Sequence, residues 1–164
     1  MKNFIVFFLI IGTAAFSISA QVFDKRHVSK DMLQFIESRN YTYSVMRSAI
    51  PTTVLKDINE HGNENFNVGD KADRDSGKAF QSCVDGGDFA GFLNFVLVND
   101  STCLLGYTIG GYALHSIILF VQYGREFKLA KYDSWGMGTV EDTASLKRFV
   151  LKKSKPDYVW TKPD

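Results

Sequence analysis

The chain has 164 residues, with 19 basic and 18 acidic side chains and a formal net charge of +1. That balance leaves no cationic surplus to neutralise phosphates, so a nucleic-acid partner is not expected. The length suits one domain with one sizeable core.

The N-terminus reads as a secretory signal. Lys2 supplies the positive segment, Phe4 to Ile11 is an unbroken apolar run, and Gly12 breaks it ahead of the small residues Ser17, Ser19 and Ala20. The run is well short of the ~20 apolar residues that span a bilayer. Cleavage after Ala20 would expose Gln21, with Ser19 and Ser17 as alternative sites, and an uncleaved anchor is the competing reading. No cysteine follows for lipid attachment. The organisation expected is a signal peptide over residues 1–20 and a single α+β domain over 21–164, secreted or periplasmic. Removal of Lys2 leaves 18 basic against 18 acidic side chains. Acidic residues dominate from Asp57 to Asp88, whereas Lys147, Arg148, Lys152, Lys153, Lys155 and Lys162 make the tail basic. Segregation of this kind suits docking to a charged protein.

Along the mature chain, Ser29 fits a helix N-cap, and Met32, Leu33, Phe35 and Ile36 repeat at helical spacing as far as Asn40. Tyr43, Met46 and Ile50 extend the apolar stripe to Pro51. That proline starts a second helix carrying Val54, Leu55 and Ile58. Residues 61–78 turn polar and predict an exposed loop with one short strand near Phe66 to Val68. The period then changes. Strands are predicted at Phe92 to Val98, Leu104 to Ile109, Tyr112 to Tyr123 and Phe127 to Trp135, separated by turns at Asn99–Thr102, Gly110-Gly111 and Gly124-Arg125. The third is apolar on both faces, which places it centrally. The fourth fades into Lys131 and Asp133, as a sheet edge does. Asp142 or Thr143 caps a short last helix with Leu146, Phe149 and Val150.

A rival reading makes Ser101 to Gly124 a membrane helix, since it lacks charge and spaces Gly106 and Gly110 as GxxxG. Gly110-Gly111, Thr108, His115, Ser116 and Gln122 oppose it, and no stable membrane insertion is expected after signal removal.

The fold class expected is therefore α+β: N-terminal helices packed on an antiparallel meander of four to five strands, closed by a short C-terminal helix. This element order resembles the nuclear-transport-factor-2-like and cystatin-like scaffolds. The resemblance implies a curved sheet wrapping a helix, and it rests on no shared motif.

Candidate chemistry is sparse. Export favours a disulfide between Cys83 and Cys103. The strand reading opposes it, because it puts the two at opposite ends of a hairpin, roughly 20 Å apart against a ~7 Å limit for bridged α-carbons. A thiol nucleophile at Cys83 with His115 as base is conceivable, but no local signature supports it. Asp70, Asp73 and Asp75 ahead of Gly77 suggest a calcium loop. Ala72 and Arg74 stand where oxygen donors belong and no closing glutamate follows, so no metal and no cofactor are expected. Asn40-Tyr41-Thr42 and Asn99-Asp100-Ser101 match the N-glycan acceptor pattern.

The leading expectation is an exported binding protein, not an enzyme, that inhibits or neutralises a protein partner in the manner of an inhibitor or a toxin-immunity protein. Its contact loop would include Asn65, Asp70, Asp73 and Asp75. The alternative is a carrier of a small ligand or lipid, with a pocket between helix and sheet lined by Tyr107, Tyr112, His115, Tyr123 and Trp135. A cysteine-dependent hydrolase ranks third.

Overall fold

The computed structural model describes residues 25–61, 66–77, 90–110, 113–123 and 127–161. The predicted export signal, the Gly110-Gly111 turn beyond its first residue, Asn65, Tyr112 and Cys83 lie outside these ranges. The elements run α1 (Lys25–Ser38), β1 (Thr42–Ser44), a 3₁₀ turn (Arg47–Ala49), α2 (Thr52–His61), β2 (Val68–Gly69), α3 (Lys71–Asp75), β3 (Gly91–Val98), β4 (Thr102–Ile109), β5 (His115–Gln122), β6 (Lys128–Asp133), α4 (Thr143–Lys153) and β7 (Tyr158–Thr161). The chain is α+β, as its periodicity predicts.

The strands form one seven-stranded sheet in the order β1-β3-β4-β5-β6-β7. All neighbours on that path are antiparallel, and β2 adds a short parallel pairing to the start of β3. β5 sits between β4 and β6, the central place its two apolar faces demand. Strand composition here outweighs the GxxxG spacing. Gly106 lies in β4 beneath the Phe95 ring, where an added Cβ would come within 2.4 Å of a ring carbon. Close packing against an aromatic ring, not helix pairing, is what that glycine serves. No helix among the described residues is long and apolar enough to cross a membrane.

Helices cover both faces. On one, Val28, Met32, Phe35 and Ile36 of α1 and Leu146, Phe149 and Val150 of α4 pack on Phe95, Leu97, Leu104, Ile118, Phe120, Ala130 and Tyr132. On the other, Ile50, Val54 and Ile58, with Phe66 and Val68, cover Leu93, Val96, Cys103, Leu105, Tyr107, Ile117, Leu119, Val121 and Leu129. Burial of each large aliphatic or aromatic side chain contributes roughly 1.5–3 kcal/mol. Strict alternation would send Leu93 and Phe95 to one face. A bulge separates them, since Leu93 pairs with Tyr107 and Phe95 with Gly106. The extra residue, Asn94, is what moves Phe95 to the α1–α4 side.

Four local expectations need correction. β6 is not an edge: β7 pairs along Lys128–Lys131 and screens it, and β7 is too short to show alternation in sequence. Ser29 is not an N-cap, because α1 begins at Lys25 and Ser29 is buried inside it, bonded to Tyr132 Oη and donating to the Ser154 carbonyl. Tyr43 and Met46 do not extend a helical stripe. Both are exposed, at 52% and 55%, where the chain lays β1 against β3. The polar stretch before Gly77 holds a short helix, α3, in which Asp73 Oδ2 accepts the Asp70 N–H at 2.9 Å. At α4 the capping expectation holds: Asp142 accepts the Ser145 N–H at 2.7 Å. The Ser145 N–H and then its hydroxyl hold the Asp142 carboxyl below its ordinary value.

Candidate functional site

Polar side chains inside apolar strands must find partners, and here they converge. Thr108 and Ser116 pair across β4 and β5. Asn94 Nδ2 donates to Thr108 Oγ1 and to the Val140 carbonyl, both at 2.8 Å. Thr108 and Ser116 hydroxyls meet at 3.4 Å, and Ser116 Oγ accepts the Val140 N–H at 2.8 Å. The Ser116 N–H reaches Ser134 Oγ at 2.7 Å, and that hydroxyl donates to the Gly138 carbonyl at 2.6 Å. Ser134 N–H returns to the Ser116 carbonyl at 2.9 Å. Among the described residues no buried side-chain nitrogen or oxygen lacks a partner. The segment from Ser134 to Val140, irregular in backbone, is thereby tied to β3 and β5 by four hydrogen bonds and braced by a fifth within itself.

That pinned segment carries the least buried large side chains at this end of the molecule. Trp135 is 63% exposed, Met137 40%, and Leu114, just before β5, 58%. His115, the first residue of β5, is nearly buried against Trp135. Its ring meets Trp135 edge-on, with centroids 4.8 Å apart. His115 Nδ1 lies 3.3 Å from the Ala113 carbonyl and Nε2 lies 3.6 Å from Asp133 Oδ1. Asp133 Oδ1 also accepts the Trp135 N–H at 2.9 Å, which fixes where the indole leaves the chain. Behind it the Asp133 N–H donates to Asp157, which pairs with Lys153 at 2.7 Å. Both imidazole nitrogens thus face carbonyl or carboxylate acceptors among the described residues, which do not include Cys83. The geometry fixes the direction in which the indole of Trp135 leaves the chain.

No family model, curated protein or solved structure matches the chain. The site's own chemistry is therefore what speaks for function.

The remaining sequence candidates disperse. His115 and Trp135 touch at one end of β5. Tyr123 follows the other end, where its hydroxyl bonds the Asn99 carbonyl and burial raises its pKa. Eight residues of strand, roughly 25 Å, separate those ends. Tyr107 is buried on the α2 face, edge-on to Phe66 with centroids 5.4 Å apart. There it lines a cavity of about 60 Å³ with Ile58, Val68, Leu119, Lys131 and Tyr158. These tyrosines do not share one pocket with His115. Of the acidic loop, Asp70 accepts the Arg47 N–H and Asp73 closes the α3 cap, so both carboxylates are engaged in backbone structure. Asp75 is exposed beside Arg74 at 3.4 Å. Cys103 is a buried free thiol, which burial pushes up to about 12, far from the thiolate a nucleophile needs. No group of three or more metal-ligating side chains occurs among the described residues.

Sequence reasoning missed Leu114 and Met137 as surface residues, and it missed Asn94, Ser134 and Val140 as their supports. One signal was available. Asn94, Thr108 and Ser116 interrupt otherwise apolar strands, and once Ile109 is set opposite His115 the register puts Thr108 against Ser116.

Proposed function

We propose that the protein is an exported binding protein that docks a protein partner through the end of the sheet bearing Leu114, Trp135 and Met137, an inhibitor or neutralising partner in type. One observation carries the reading: large apolar side chains stand in solvent on backbone that a buried hydrogen-bond network holds rigid. Mobile loops lose ordering entropy on binding, whereas a preorganised aromatic anchor loses little. Trp is also the residue type most enriched among binding hot spots. Lys153, in the last turn of α4, donates to the Asp133 carbonyl and pairs with Asp157, which ties the helix end to the strand that leads into Trp135. Small size and the predicted signal fit the same reading, as does the want of a catalytic constellation among the described residues.

Capture from the native extracellular or envelope fraction tests it, with wild type and Trp135→Asp run side by side. The expected result is a partner retained by wild type in near-stoichiometric amount and lost by the variant. Equal capture by both proteins, or none by either, contradicts the reading. The carrier alternative draws on the cavity beside Tyr107. At about 60 Å³ it is far below the ~300 Å³ at which pockets begin to enclose ordinary small-molecule ligands, and so protein binding is preferred.

A further inference from the structure

The two glycan-acceptor tripeptides, 59 residues apart in sequence, meet in space at the end of the sheet opposite Trp135. Asn99 Nδ2 donates to the Asn40 carbonyl at 3.2 Å. The two side chains are placed very differently. Asn99 Oδ1 accepts the Ser101 N–H at 3.0 Å and the Thr102 N–H at 2.8 Å, so its oxygen shapes the β3–β4 turn while its nitrogen is held on the Asn40 carbonyl. Asn40 and Thr42 are exposed, and among the described residues only the backbone of Asn40 is hydrogen-bonded, not its side chain. Asn40 sits between the helix end, where Arg39 takes φ 52°, and the first residue of β1. An open groove of about 500 Å³ runs beside it, bordered by Tyr41 and Asp100.

We propose that Asn40 carries an N-linked glycan and that Asn99 does not. The proposal rests on the export reading, since only exported chains meet the transferring enzyme. In the reaction the Asn40 amide nitrogen forms a bond to C1 of the first sugar of a polyisoprenyl-diphosphate oligosaccharide. The C1–O bond to diphosphate breaks, the lipid diphosphate departs, and the amide gives up one proton. No redox partner is required. The sugar would project from the end remote from Leu114 and Trp135, which leaves that surface open to a protein.

The full chain is secreted from a eukaryotic cell line behind a foreign leader, and its gel mobility is compared before and after peptide-N-glycosidase treatment. One glycan's worth of shift is expected. It should vanish in Asn40→Gln and in Thr42→Ala, and persist in Thr42→Ser and in Ser101→Ala. Ser101→Ala removes the second acceptor pattern while leaving the backbone N–H that Asn99 holds. Glycosidase-dependent conversion of residue 40 to aspartate, read by mass spectrometry, confirms the position. No shift in wild type, a shift surviving Asn40→Gln, or a shift lost in Ser101→Ala overturns the proposal. A parallel expression with the native N-terminus tests export separately. Retention inside the cell would sink the export reading and leave the glycan result standing.

Discussion

The two ends of the sheet solve the same problem in opposite ways. At the Asn99 end, polar side chains lie near the surface and turn back on their own backbone: Asn99 holds the turn, and the Tyr123 N–H and hydroxyl bond the Ser101 and Asn99 carbonyls. At the His115 end the arrangement is inverted. The hydroxyls and the Asn94 amide are buried, and Trp135, Leu114 and Met137 are outside. The first arrangement needs no explanation beyond folding. The second leaves three large apolar side chains in solvent, and buried hydrogen bonds hold the Ser134–Val140 backbone that carries two of them. The proposed docking role rests on that contrast.

Breaking the network should have the largest effect. Asn94→Ala leaves the Val140 carbonyl and Thr108 without their donor and opens space beneath the segment, so a loss of about 2–3 kcal/mol is expected in urea unfolding. Trp135 emission should become more mobile in the same variant, as read by anisotropy in a Trp160→Phe background. Asn99→Ala removes three bonds, from the Ser101 and Thr102 N–H groups and the Asn40 carbonyl, near the surface, and should cost about 1 kcal/mol with no change in Trp135 mobility. Equal responses at Trp135 would erase the distinction between the ends.

The Asp142 cap offers a smaller, pH-dependent test near the pinned segment. Its folded pKa lies below the unfolded value, so its contribution is present above the unfolded carboxylate range and is lost as pH falls through the folded pKa. Asp142→Asn keeps a capping oxygen, and should flatten that part of the acid stability profile while changing stability little at neutral pH. The smallest effect is predicted for Trp135→Ala, within about 0.5 kcal/mol of wild type in unfolding, because a largely exposed ring adds little to the core. A larger loss would mean that the indole is structural and not an anchor.

Much of this frame was legible in the sequence. Period-two runs rich in Val, Ile, Leu and Phe mark β3 to β6, and Asp142 followed by Ser145 marks the start of α4. Residues whose role is set by distant partners were not. Phe95 changes face because Asn94 is an extra residue opposite Gly106, and alternation cannot show where such a residue falls. Ser29 reads as a cap by type, yet serves Tyr132, whose phenol burial pushes up to about 12. β7 is four residues that exist as a strand only because β6 offers an edge. Of the aromatic residues gathered into one pocket from sequence, His115 and Trp135 meet, strand length keeps Tyr123 from them, and Tyr112 lies outside the described residues.

Amide hydrogen exchange resolved to single residues tests the central claim most directly. Ser116 and Val140 N–H groups bond to the hydroxyls of Ser134 and Ser116 beneath the exposed Trp135. Both should exchange as slowly as the mid-strand amides of β5, with protection falling together in Asn94→Ala. If Val140 instead exchanges at the rate of an unstructured loop, Trp135 stands on mobile backbone and the picture of a preorganised docking end is contradicted.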